Sequence, residues 1–381
     1  MEKCMFNTLY LRRYGTALIA VAAATFGMAV TTGLPVANAA AGAVQPVVQG
    51  NHLVDSRTGQ VWTPHGSSWP GLEYSCVQGW TPSLAANSMT TAASWGMDVA
   101  RIPLNQDCWL GTDNAPIAGY KYGNDANLPR AQQYQKQVQD WVTQAHNAGM
   151  AVILDLHWAA PNGTQAYGQR AMADNQSAAF WNSVATTYKN DPSVMFELFN
   201  EPYSRGNNQL SWQCWRDGGC QMPNVADDKA TNGTTFTVTG MATLVSAVRN
   251  AGAKQPLLLG GLNYANDLSQ WLNNKPNDTQ LVAAWHNYQG QGCSDTACWN
   301  TQITQVAKQV PVLMTETGYE PNNPGYFNTA LTWANQNGIG YLPWAWWEQV
   351  DAGNTPYALY KGTNYTPTPE GTAFKQQLTK F

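Results

Sequence analysis

Eight apolar, β-branched runs recur along the chain, most of them followed by a loop and then a stretch with helical periodicity. The runs are VWTPHGSSW (61–69), MDVARIPL (97–104), AVILDLHW (151–158), SVMFELFNE (193–201), PLLLGGLN (256–263), LVAAWHNY (281–288), VPVLMTETG (310–318) and GYLPWAWW (340–347). A strand that is apolar throughout is buried on both faces, as in a parallel sheet covered by helices. Between the runs, residues 129–149 put Tyr134, Val138, Trp141, Val142 and Ala145 on one helical face and close on Gly149. Residues 176–190 and 240–252 behave similarly. Eight such strands joined by right-handed crossovers close a (β/α)8 TIM barrel, the α/β fold expected here. The alternative is an open doubly wound sheet, but no GxGxxG follows the first strand, which counts against a dinucleotide-binding version.

The first 39 residues carry a different signal. Lys3, Arg12 and Arg13 precede an apolar stretch at 16–30 that is short for a membrane span, and ANA at 37–39 has a small-x-small cleavage pattern. They are expected to be a signal peptide, by general secretion or twin-arginine export. A flexible lead-in at 40–50 and one domain over 51–381 should follow. Its removal leaves 17 basic and 23 acidic residues. With 12% charged residues and no Lys/Arg cluster, nucleic acid is not an expected partner. Six cysteines remain after the leader: Cys76, Cys108, Cys214, Cys220, Cys293 and Cys298. An even number in a secreted chain implies disulfides, and of the 15 pairings the local ones are favoured: 76–108, 214–220 and 293–298. No CxxC pair occurs and histidine is scarce, so no metal site or cofactor is expected.

Polar residues gather where the strands end. Arg101 lies on the second run, and His157 and Trp158 end the third. Asn200 and Glu201 end the fourth. His286, Asn287 and Tyr288 end the sixth, Glu316 lies near the end of the seventh, and Trp344, Trp346 and Trp347 end the eighth. In a TIM barrel these ends form one rim, where active sites lie. Two carboxyls facing each other across that rim suit glycoside hydrolysis, one donating a proton and the other ionised. Glu197, mid-strand, reads instead as a buried acid paired with an arginine or amide. Asp155 reads as structural. His65, Trp69 and Glu73, on or just after the first run, are open between pocket and core. The 17 tryptophans divide between core packing and platforms for the flat apolar faces of sugar rings.

FELFNEPY, together with RIPL, LDLHW, WHNY, VLMTETGY and LPWAWW in this order, resembles glycoside hydrolase family 5, the cellulase-like retaining (β/α)8 hydrolases. The resemblance covers roughly residues 50–380. It implies Glu201 as acid/base, Glu316 as nucleophile, Asn200 on the sugar 2-hydroxyl, and Arg101 and Tyr288 holding the nucleophile. It further implies that His157 and His286 line the subsite of the cleaved sugar. Trp344 would be its floor, with a register shared with Trp346 and Trp347. Trp69 is a further candidate for substrate contact.

The expectation is a secreted, extracellular, monomeric retaining β-glycosidase, with an endo-β-1,4-glucanase favoured. It would act on polysaccharide or oligosaccharide and stay off the membrane once the leader is cleaved. Alternatives are an endo-β-mannanase, an exo-acting β-glycosidase, or a carbohydrate-binding barrel without catalysis. TETGY and the long 203–235 insertion depart from the common cellulase pattern, so the substrate follows less directly than the reaction.

Overall fold

The computed structural model describes residues 42–379 apart from 125–126, 228, 231–232, 319–323 and 350–356. The expected leader at 1–39 lies outside the described residues. Eight parallel strands form one sheet: β1 Gly66–Ser68, β2 Val99–Asn105, β3 Ala151–Trp158, β4 Val194–Glu197, β5 Leu257–Gly260, β6 Leu281–Tyr288, β7 Val312–Gly318 and β8 Gly340–Pro343. Each pairs with its neighbour in sequence, and the sheet closes between its ends. His65 bridges Tyr341, and the Ser67 hydroxyl donates to the Pro343 carbonyl at 2.8 Å. The helices read from periodicity are present as α1 Arg130–Asn147, α2 Ser177–Tyr188 and α3 Met241–Asn250.

Inside the barrel, side chains one strand period apart change character along the strand. On β3 the series is Ala151, Ile153, Asp155, His157; on β4 it is Met195, Glu197; on β6, Val282, Ala284, His286. The apolar members pack together, with Leu53 and Trp62 beneath them. The ionisable members follow toward the C-terminal ends. Period-two alternation thus yields a dry apolar plug and a charged mouth from the same rows of residues. Leu53 belongs to a hairpin, Pro46–Gln49 with His52–Asp55. That corrects the flexible lead-in expected at 40–50: the segment is held in place because it covers the barrel's entry end. The three disulfides pair as favoured, 76–108, 214–220 and 293–298.

His65 precedes β1 instead of ending it, and its ring lies 4.5 Å from Tyr341, away from the mouth. Four acids, Asp98 partly buried and Asp107, Asp174 and Glu73 buried, tie loops to the barrel. Asp98 accepts from the Trp62 indole at 2.7 Å and the His65 amide at 2.8 Å. Asp107 accepts from the Ala166 amide, Asp174 from the Gln176 amide and Glu73 from the Gly71 amide. Burial outweighs these bonds. It pushes Asp98, Asp107 and Glu73 up to about 7 and Asp174 up to about 6. Unfolded carboxyls titrate near 4. Between about pH 4 and 7 the folded chain therefore keeps protons that the unfolded chain releases, and stability falls as pH rises. His65, pushed down to about 4 by burial, and His157, also lowered by burial, oppose this but are outnumbered by the raised carboxyls. Calorimetry should find the melting temperature highest near pH 4–5 and several degrees lower at pH 8; a melting temperature rising across that window would contradict this balance.

Candidate active site

Arg101 stands at the centre of the mouth and is fully buried. Its Nε donates to Glu197 at 2.6 Å, Nη1 to Glu316 at 2.6 Å and Ser68 at 3.3 Å, and Nη2 to Asn200 at 2.7 Å. Nη2 also lies 3.0 Å from Asp155. Four hydrogen bonds and one close ion pair thus surround the guanidinium. Burial opposes the charge of Arg101, but Asp155, Glu197 and Glu316 outweigh it and hold the guanidinium protonated. Burial likewise opposes ionisation of Glu197, yet Arg101 and then His286 lower its carboxyl to about 2. The Thr315 hydroxyl donates to its other oxygen at 2.7 Å. Glu197 is the paired, buried acid expected from its mid-strand position.

Glu316 reaches the mouth because β7 is irregular. His286 pairs with Glu316, but the residue before it, Trp285, pairs with Met314, so Thr315 is an inserted residue and both it and Glu316 turn inward. The Glu316 carboxylate takes Arg101 on one oxygen and the Tyr288 hydroxyl, at 2.8 Å, on the other. Glu201, just past β4, accepts from His286 Nδ1 at 2.8 Å and from the Gln169 amide at 2.9 Å. Burial would raise the Glu201 carboxyl, but the His286 bond and charge and the Gln169 amide hold it below the usual range. His286, against the effect of burial, is raised to about 10 by Glu316, Glu197 and Glu201. The pair therefore keeps its proton on the imidazole. Single donor atoms of Glu201, His286 and Glu316 lie within 4.8 Å of one another.

Asn200 presents its amide NH2 to the Gln169 carbonyl at 3.1 Å. His157 donates or accepts at Asp155 at 2.7 Å and stacks on Trp344, ring centres 5.2 Å apart and 16° from parallel. Of the three clustered tryptophans, Trp344 is thus the one beside His157, and Trp347 meets it edge-on at 6.4 Å. Trp346 and Trp69 are corrections. They are 3% and 2% exposed and lie 5.9 Å apart in an aromatic layer with Trp95 and Tyr365. Each lies beyond the end of its strand, at Pro343 and Ser68, so strand alternation no longer governs which way it points. Glu73 is also buried. Gln169, which touches both Asn200 and Glu201, escaped the sequence reading because it sits in a loop remote from any strand end.

The family model described as cellulase (glycosyl hydrolase family 5) matches residues 55–350. A curated endoglucanase from Halalkalibacter akibai is 24% identical over 255 residues, 60% of this chain but 29% of that protein's length. Among solved structures, a β-glucanase from Saccharophagus degradans superposes with a TM-score of 0.65 at 19% identity, covering 91% of this chain and 98% of that one. The catalytic domain of Thermobifida fusca endoglucanase Cel5A gives 0.61 at 13% identity, covering 87% and 97%. These likenesses carry the barrel fold.

Replacing Arg101 by Met would leave a cluster of buried carboxylates without their common partner. The expected loss is about 3–5 kcal/mol of folding free energy in urea denaturation. A loss below about 1 kcal/mol would show that the cluster relaxes without it.

Proposed function

The chain belongs to glycosyl hydrolase family 5, and from that premise we propose that it cleaves β-linked glycans with retention of configuration. The observation that carries the reading is the closeness of Glu201 and Glu316, with carboxylate oxygens within 4.8 Å. Separations near 5 Å suit double displacement, whereas inversion needs about 6.5–9.5 Å to admit a water. The surroundings divide the roles. Glu316 is held by a guanidinium and a phenol, one on each oxygen, which aim it. Glu201 hydrogen-bonds an imidazole, and in this reading the two share one proton. In this reading a Glu316 oxygen attacks the anomeric carbon as the glycosidic bond breaks, and the proton held by the Glu201–His286 pair goes to the leaving oxygen. Glu201 then takes a proton from water, the water oxygen bonds to the anomeric carbon, and Glu316 departs as carboxylate. Asn200, oriented by Arg101 and Gln169, is placed to meet the sugar 2-hydroxyl.

The favoured substrate is a β-1,4-glucan, in keeping with the endoglucanase and β-glucanase relatives; mannan is the second choice. Export fits three disulfides, which form in oxidising compartments. Among the described residues no helix is long and apolar enough to cross a membrane.

Carboxymethylcellulose, mixed-linkage glucan, galactomannan, xyloglucan and chitosan, each incubated with wild type, Glu201→Gln and Glu316→Gln, provide the test. At least one polymer should be cut, and each variant should lose about 10³-fold or more of that activity. Survival of every polymer with wild type would sink the endo-glycanase reading. The pH profile tests the proton-holding pair. Because His286 keeps the proton up to about pH 10, His286→Asn leaves Glu201 to hold it alone. The alkaline limb of kcat/KM should then move to lower pH; an unmoved limb would show that His286 does not share the proton.

A further inference from the structure

The long segment after Glu201, where the chain departs from the common cellulase pattern, packs against the 159–176 loop that joins β3 to α2. Its hairpin, Gln221–Pro223 with Thr235–Thr237, is tied at its start by the Cys214–Cys220 disulfide. From this segment the Tyr203 amide donates to the Ala171 carbonyl at 2.9 Å, and the Tyr203 hydroxyl to the Gln169 carbonyl at 3.3 Å. The Asp227 amide donates to the same Gln169 carbonyl at 3.0 Å. Asn224 donates to the Thr164 hydroxyl at 2.8 Å and accepts from Arg170 at 3.4 Å. Just past the hairpin, the Thr239 amide donates to the Ala173 carbonyl at 2.9 Å.

These bonds converge on the backbone of Gln169, which is buried. On its other side the loop is fastened to the end of β2. Asp107 accepts from the Ala166 amide at 2.6 Å, and the Asn105 amide donates to the Ala166 carbonyl at 2.9 Å. Held from both sides, Gln169 aims its side chain at the two residues that follow β4. Its orientation is forced. Arg101 can only donate, so Asn200 gives it the oxygen and turns its NH2 to Gln169 Oε1 at 3.1 Å. That leaves the Gln169 NH2 for Glu201 Oε2, at 2.9 Å, while His286 Nδ1 takes Glu201 Oε1 at 2.8 Å. The last torsion of a glutamate is broad, so a bond at one oxygen leaves the carboxylate plane free to turn. Bonds at both oxygens fix it.

We propose that the 203–239 segment is a clamp on the 159–176 loop, and that through it Gln169 acts as a positioning residue for the proton-delivering carboxyl of Glu201. This rests on the glycosidase reading of the carboxylates. In the first step the electron pair of the breaking bond leaves with the aglycone oxygen, which takes the proton held by the Glu201–His286 pair. A carboxyl turned out of line delivers that proton poorly, and a misplacement of about 1 Å can cost about 10²-fold. The loss falls on leaving groups that need the proton and spares those that depart as stable anions.

The test compares kcat/KM, which reports the chemistry up to departure of the aglycone, on dinitrophenyl and phenyl β-glycosides of cellotriose and mannotriose. The proteins are wild type, Gln169→Leu and the double variant Tyr203→Phe with Asn224→Ala, which leaves Gln169 in place. Gln169→Leu should lose at least about tenfold more on the phenyl than on the dinitrophenyl glycosides. The double variant should show the same split, about threefold or more. Equal losses on both aglycones in Gln169→Leu would mean a merely structural role and overturn the proposal. A split in Gln169→Leu with none in the double variant would overturn the clamp. Should the four glycosides and the polymers above all survive wild type, the glycosidase reading fails. The grip on Glu201 is read independently of turnover, from the carbon-13 NMR titration of its carboxyl, assigned by its loss in Glu201→Gln. His286, Glu316, His157, Asp155, Tyr288 and Tyr264, the other ionisable groups around Glu201, stay in place in Gln169→Leu. Losing an N–H that favours the ionised form should therefore move the titration to higher pH; an unmoved titration overturns the proposal.

Discussion

One guanidinium organises the mouth of this barrel. Arg101 reaches the ends of four strands: Ser68 at the end of β1, Asp155 on β3, Glu197 and Asn200 along and beyond β4, and Glu316 on β7. A planar fork with fixed directions can do this, and an ammonium cannot. Burying a charge is costly unless it is paired and hydrogen-bonded, so the arrangement is stable only when every member is in place. The same requirement fixes where Glu316 and Asn200 stand. Positioning of the candidate reactive groups is therefore a by-product of satisfying a buried charge.

That logic extends outward. Asn200, held by Arg101 on its oxygen, passes its amide to Gln169, and Gln169 in turn donates to Glu201. Glu201 faces His286, which lies on β6 beside β7. A chain of hydrogen bonds thus links the two carboxylates by a route that avoids direct contact. It leaves one anion with a cation and a phenol, and the other with a proton carrier. Two chemically identical side chains thus sit in different electrostatic surroundings set by their partners.

Much of this was legible in the sequence. All eight strands, three of the helices between them and the three local disulfides followed from period and spacing. The ionisable strand ends followed from the rule that polar residues at the ends of buried strands must have a use. The failures have physical causes. Trp346 entered through a resemblance whose register it shared with Trp344 and Trp347, and Trp69 through its place just after the first run; both lie past Pro343 and Ser68, where no strand period fixes which way a side chain points. The inward turn of Glu316 depends on an inserted residue at Thr315, and a register shift between paired strands leaves no periodic trace in one strand. Gln169 acts from a loop, where neither period nor cap announces it. The hairpin at 46–55 was missed because short strands that cover a barrel's base carry too few residues to show alternation.

The central claim is that Glu316 bonds to the sugar before water does. The configuration of the first product, followed by proton NMR within seconds of mixing enzyme with the glycan it cuts, tests this most directly. The account predicts that the β-anomer appears first and only later equilibrates by mutarotation. First appearance of the α-anomer would mean a single displacement by water, and the assignment of Glu316 as nucleophile would be wrong.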